Sequence, residues 1–375
     1  MTIGVLKEPS DETRVSLLPE AVAVLSKKGI TVLIENGAGE KAFADDDSYQ
    51  KAGAQIKNRN DVTQLSQIVL SINHPDESDR INYREDLKSK ILIGVYFPLY
   101  HPGLMQLWAE GGITCFSLDM LPRTTRAQTM DVLSSQANIA GYKAAVEAAN
   151  LYSRYFPMFM TAAGTIAPAK VLILGAGVAG LQAIATARRL GAVVEVLDTR
   201  PAVKEEVISL GAKFIEVEGA ADASKAGGYA VEQTEDYKQR QEQKVTDSIA
   251  KADIVITTAQ IFGKKAPILI TEKMLDSMRN GSVIIDIAAA TGGNTPFTKN
   301  NETVKYNGVT IVGNSNLPAT MPSDASKLYG KNILNFLQLI TKEGQINLNW
   351  DDDLVKGSCI THNGEVVNER VRLLV

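Results

Sequence analysis

The chain has 375 residues, 45% hydrophobic and 22% charged, with a net charge of −4, which predicts two or three globular domains and leaves no basic footprint for nucleic acid. Two cysteines, Cys115 and Cys359, are too few for a disulfide framework or a zinc site and point to a reducing compartment, and His74, His101 and His362 are scattered and read as surface or loop residues. No window approaches the ~20 apolar residues of a membrane span, and the opening MTIGVLKEPSDETRV carries charge too early for a signal peptide.

Strand-like and helix-like segments alternate almost throughout, the pattern of an α/β protein with parallel sheets. Residues 3–6 and 32–34 read as strands around a helix over 18–28. Segments 68–72, 91–97 and 113–118 continue the alternation. Residues 123–138, RTTRAQTMDVLSSQAN, then lead into a long helix over 130–153. Arg123, Gln128, Asp131 and Ser134 can converge there from a loop and the first helical turns, Asp131 and Ser134 being neighbours at a spacing of three. Charged donors, an amide, a carboxylate and a hydroxyl suit the orientation of a carboxamide and a sugar. The same residues also read as a capping cluster, with Thr129 as the cap and Asp131 in the first turn. Both readings stand.

The most informative stretch is KVLILGAGVAGLQAIATARRLGAVVEVLD, residues 170–198. An apolar strand runs into Gly175, Gly177 and Gly180 as G-x-G-x-x-G, then a helix, then a second strand ending on Asp198. The first glycine serves the tight turn, the second the approach of a pyrophosphate, the third the packing of helix on strand. The helix N-terminus offers free N–H groups to phosphate. Asp198 can accept from both adenosine ribose hydroxyls and repels a 2′-phosphate, which predicts NAD(H) over NADP(H). Later strands are expected over 213–217, 254–257, 283–287 and 309–312, six in all with the two of this unit. Between the third and fourth, residues 218–244 exceed a minimal unit. With Gly227, Gly228 and Tyr229 they read as a lid, or equally as a solvated loop entering a polar helix.

Past Gly313 the pattern breaks, and a helix over 323–340 carries Leu328, Ile333, Leu334 and Leu337 on one face. It is expected to return to the first domain. The predicted fold is therefore two doubly wound, Rossmann-like parallel sheets with a cleft between them. The first is discontinuous, 1–135 plus about 318–375. The second, 136–317, is an inserted nucleotide-binding domain. No G-x-S-x-G, Walker lysine pattern or H-E-x-x-H is present.

The opening GVLKEPSDETRVSLLPEAV resembles that of the alanine dehydrogenase and pyridine nucleotide transhydrogenase superfamily. RTTRAQTMDVLSSQANIAGYKA, the stretch from MFMTAAGTIAPAK through the glycine turn, GGYA and GSVIIDIAAATGGN resemble the NAD(H)-binding domain I of proton-translocating NAD(P) transhydrogenase. The resemblance covers nearly the whole chain. It departs from alanine dehydrogenase at SINHPDE and IGVYFPLYHP, where no lysine–histidine pair stands to bind and protonate a keto acid. Arg14 matches a superfamily arginine but cannot by itself make such a site.

The resemblance implies that NAD(H) is held here and NADP(H) on a separate domain III, with hydride passing directly between the nicotinamides. A membrane domain II would couple this to proton translocation. It implies that Arg123, Gln128, Asp131 and Ser134 orient the nicotinamide and its ribose, with Thr124 and Thr125 beside them, and that Tyr229 closes over the nucleotide. Asp198, Thr199 and Arg200 would line the adenosine end, with Gly175, Gly177, Val178 and Gly180 at the turn. Gly228, Gln241 and Gln260 match further contacts. A homodimer is implied, held peripherally at the cytoplasmic or matrix-equivalent face of the inner membrane by its partner subunits. No metal is expected. The resemblance leaves two other functions open, a free-standing amino-acid dehydrogenase and a non-catalytic NAD(H)-binding module.

Overall fold

The computed structural model describes residues 1–75, 83–219 and 234–375. Contacts divide the chain into two compact units, residues 1–136 with 319–375, and residues 137–318.

The first unit is built on an eight-stranded sheet. Its order is Glu365–Val366, Cys359–His362, Thr114–Ser117, Ile91–Gly94, Ile68–Leu70, Thr2–Val5, Thr31–Glu35, Gln55–Lys57. Counted along the chain, its six parallel strands follow the 3-2-1-4-5-6 order of doubly wound dinucleotide-binding sheets. The central strands are apolar on both faces, as a sheet covered on both sides requires. Three strands carry no signal that sequence patterning detects. Gln55–Lys57 has three residues with none buried, and the two C-terminal strands join antiparallel from more than 240 residues away. His362 therefore lies in a strand, where its Nδ1 meets Thr114 Oγ1 at 3.1 Å.

The helix Pro322–Ile340 belongs to this unit and packs Ala325, Tyr329, Ile333, Phe336 and Leu337 into its core. Leu328, expected on the apolar face, is 36% exposed. Tyr329 and Phe336 take core positions that a count of aliphatic residues alone does not reveal.

The second unit holds a seven-stranded sheet ordered Lys213–Phe214, Val193–Leu197, Lys170–Leu174, Ile254–Thr257, Val283–Asp286, Val309–Val312, Thr303–Tyr306. Six strands run parallel, again in the 3-2-1-4-5-6 order. The seventh, Thr303–Tyr306, is an antiparallel edge strand. Its TVKY sequence buries no side chain, so it carries no core signal. The third strand is two residues long, shorter than the predicted 213–217.

The long helix runs Val132–Leu151, later than predicted, because a 3-10 segment Thr125–Met130 precedes it. A hairpin of Phe159–Thr161 and Gly164–Ile166 follows it, with Met158, Phe159, Met160 and Ile166 exposed. No helix among the described residues is long and apolar enough to cross a membrane.

Candidate functional site

In the second unit, Lys170–Leu174 is buried from Val171 onward and delivers the chain to a turn at Gly175, whose φ of +102° favours glycine. A Cβ on Gly175 would stand 2.4 Å from Thr258 Oγ1, and one on Gly180 would stand 2.0 Å from the Gly175 carbonyl oxygen. The fold itself requires those two glycines. It does not require Gly177, where a Cβ would meet nothing within 4 Å. This open position precedes the 12-residue helix Val178–Arg189, whose N-terminus carries no side-chain cap. Free N–H groups, the positive end of a helix dipole and room for close backbone approach fit a pyrophosphate. Val178, the first helical residue, is 40% exposed.

Thr258, which no sequence motif singles out, donates from Oγ1 to the Gly175 carbonyl at 3.1 Å and fixes the turn from the neighbouring strand's end. Helix Val132–Leu151 approaches the same region: a Cβ on Gly141 would lie 2.0 Å from the Ala179 carbonyl oxygen.

Asp198 ends the next strand. Its Oδ2 accepts from Ala176 N–H at 2.6 Å and Arg200 Nη2 at 2.8 Å. Its Oδ1 accepts from Arg200 N–H at 2.8 Å and Nε at 2.9 Å. Asp198 thus ties the glycine turn to the segment that follows it, where Thr199 is half-buried. Tyr237 is buried in the first turn of Glu235–Ile249, and burial, then the Asp198 charge, raises its phenol pKa. Gln241 is half-buried one turn on, and Gln260 is exposed with Nε2 donating to the Ile287 carbonyl at 3.3 Å. Gly227, Gly228 and Tyr229 lie outside the described residues.

In the first unit, the 3-10 segment Thr125–Met130 is anchored by buried Ala127 and Met130 and leaves the side chains of Arg123, Thr124, Thr125 and Gln128 exposed. Arg126 pairs with Asp352 at 2.5 Å and Asp353 at 3.2 Å. The Thr129 carbonyl accepts from Asn332 Nδ2 at 2.8 Å and Asn335 Nδ2 at 3.1 Å, so the Pro322–Ile340 helix pins the backbone beside Gln128. Asp131 and Ser134 do meet: Asp131 Oδ1 accepts from Ser134 N–H at 2.9 Å and Oδ2 from Ser134 Oγ at 2.6 Å. Asp131, standing just before Val132, caps the long helix. Thr129 does not cap it, because the 3-10 segment delays the first helical turn until after Asp131.

Arg14 lies after the first strand of this unit. Its Nε and Nη2 donate to Glu12 at 2.8 and 2.6 Å, and its Nη1 to Gln136 Oε1 at 2.9 Å. Burial works against ionisation of Glu12, but the Arg14 guanidinium outweighs it and holds the carboxyl below its ordinary range. The planar fork that could grip a substrate carboxylate is therefore engaged by the chain's own. Among the described residues no group of three or more His, Cys, Asp or Glu side chains is placed to hold a metal ion.

The family model "Alanine dehydrogenase/PNT, N-terminal domain" matches residues 4–140, and "Alanine dehydrogenase/PNT, C-terminal domain" matches residues 144–369. The chain is 44% identical to the first part of NAD(P) transhydrogenase subunit alpha from Rickettsia prowazekii (strain Madrid E), covering 99% of this chain and 97% of that one. It is 43% identical to the protein of the same name from Rhodospirillum rubrum, covering 98% of each. The crystal structure of transhydrogenase from Sinorhizobium meliloti superposes with a TM-score of 0.85 at 40% identity, over 98% of this chain and 99% of that one. These matches span both units, and the chain belongs to the alanine dehydrogenase/PNT family.

Proposed function

We propose that this chain is the NAD(H)-binding component of a proton-translocating NAD(P) transhydrogenase. The observation that carries the reading is the open Gly177 position at an uncapped helix N-terminus, one strand from Asp198, in a chain so similar to transhydrogenase alpha subunits. NAD(H) bound here exchanges a hydride directly with NADP(H) on a partner domain.

The chain's own role in that exchange is positional. Gly175, Gly177, Val178 and Gly180 hold the pyrophosphate. Asp198, Thr199 and Arg200 take the adenosine end, with Gln241, Gln260, Gly228 and Tyr229 as further contacts. Arg123, Thr124, Thr125, Gln128, Asp131 and Ser134 orient the nicotinamide and its ribose, with Gln128 reaching toward the partner nucleotide. Holding two rings at near-attack distance needs no protein acid or base.

The partners are an NADP(H)-binding domain III and a membrane domain II, which couple the exchange to proton movement and keep this chain at the cytoplasmic or matrix-equivalent face. The working form is a homodimer. The exposed apolar hairpin 159–166 supports pairing with a second copy. The nucleotide sits on the inserted unit, and the discontinuous unit carries the orienting segment.

Nucleotide fluorescence titrations and hydride-transfer assays test this together. NADH is expected to bind with clear preference over NADPH. Transfer is expected only when an NADP(H)-loaded partner domain is added, and a mixture of chain, NADH, pyruvate and ammonia should stay unoxidised. Robust oxidation in that mixture would replace this reading with an amino-acid dehydrogenase.

A further inference from the structure

A carboxylate offers about four acceptor positions. At Asp198 the chain's own donors fill all of them: the N–H groups of Ala176 and Arg200, and the Nε and Nη2 of Arg200. The two side chains are 5% and 18% exposed, so this is a sheltered pair. A pair of ribose hydroxyls cannot be added to a saturated carboxylate. It must take the place of two donors. The two backbone N–H groups are fixed by the turns that hold them, whereas the Arg200 fork sits on rotatable bonds. The ribose therefore displaces the guanidinium, which stays tethered two residues from Asp198, beside the ribose edge. An arginine in that place is what receives a 2′-phosphate in NADP-binding sheets.

We propose that Arg200 is a specificity-determining residue of this site, a latent 2′-phosphate receptor that Asp198 neutralises through their bidentate pair. This deepens, and rests on, the nucleotide assignment made above. Exclusion of NADP(H) then comes from the pair and not from the carboxylate alone. Glu206 also acts on the guanidinium, as a charge. A 2′-phosphate brings about −1.5 to −2 of charge and three acceptor oxygens, against which one such carboxylate competes poorly.

The test is equilibrium titration of the full chain with NADH and NADPH, on variants confirmed folded by circular dichroism. Asp198→Asn keeps the shape of the side chain and removes its charge, and Asp198→Ser is the second variant. Each should bind NADPH about tenfold or more tightly than the parent and NADH about tenfold more weakly, the scale of one charge-assisted contact. In the Asp198→Asn/Arg200→Gln double variant the gain in NADPH affinity should vanish. Arg200→Gln alone should leave NADPH binding as weak as in the parent. No gain in either Asp198 variant, or a gain that survives in the double variant, overturns the inference, while NADH binding by the parent chain keeps the nucleotide reading. A parent chain that binds no NADH overturns the nucleotide reading itself, a different result from the same titration.

Discussion

In each unit the first strand of the sheet ends near the sheet's middle and hands the chain to a turn, at 175–177 in one and at 7–14 in the other. The strand order is the same, and so is the place in the topology where such sheets bind ligands. The turns differ in kind. The one after Leu174 is short, rich in glycine and open beside Gly177. The one after Val5 carries Glu8, Glu12 and Arg14, all buried and bound to one another or to the backbone of residues 72–73. One turn leaves an uncapped helix N-terminus beside open space, while the other engages its ionisable groups inside the protein. The shared strand order thus fixes where a turn stands but not its chemistry, which lies in a few residues of each turn.

The largest effect is expected inside the open turn. Gly180→Val forces a side chain against the Gly175 carbonyl, 2.0 Å from the new Cβ. It should abolish NADH binding and lower stability by about 1–3 kcal/mol or more, read by thermal denaturation. Gly177→Ala, meeting no atom within 4 Å, should leave the melting temperature unchanged yet weaken NADH about tenfold or more. If both glycines behave alike, the open position is not a ligand cradle.

A smaller effect is expected in the first unit, at the grip on Thr129. Replacing Asn332 and Asn335 together by Ala releases that carbonyl. Single-turnover hydride transfer with a partner domain should slow about tenfold while NADH affinity moves less than about twofold, because displacement without loss of contact costs rate. Gln128→Asn should show the same split. A loss confined to affinity would make this segment a simple binding element.

The smallest effect concerns Glu8. Burial pushes its carboxyl up to about 8, against the backbone N–H groups of Ile72 and Asn73, which pull it down. An unfolded glutamate ionises near 4.5. Between those values the folded chain keeps a proton that the unfolded chain has lost. The stabilisation is therefore complete below the lower value and is lost as pH rises through the upper one. Glu12, Arg14 and Tyr329 face the same group, and Glu12 has the opposite sign, its contribution being lost on acidification. Melting temperatures from pH 5 to 8.5 should fall for the parent and run flatter for Glu8→Gln. Parallel curves would show that Glu8 does not carry the proton.

The glycine turn is legible in the sequence because what it requires is local: a strand, three glycines, a helix and an acid at the end of the next strand. The meeting of Asp131 with Ser134 is legible for the same reason, being a contact at spacing three. The grip of two asparagines on Thr129, the Thr258 contact on the Gly175 carbonyl and the saturation of Asp198 are not. The first two join side chains to backbone carbonyls 83 or more residues away, with no periodicity to mark them. The third depends on a rotamer. Thr303–Tyr306 escapes detection because its alternation runs for only four residues and brings no side chain into the core.

The contact from Asn332 to Thr129 also sets a clock, since the two residues are 203 positions apart. At roughly 5–20 residues per second, a ribosome delivers the second roughly 10–40 s after the first. Residues 137–318 pack among themselves and emerge whole within that interval. The nucleotide-type turn is thus complete while the segment around Gln128 still waits for its last tether. A chain truncated before Pro322 and released would carry a finished cradle and an unfinished face, and protease should cut it first between residues 123 and 131.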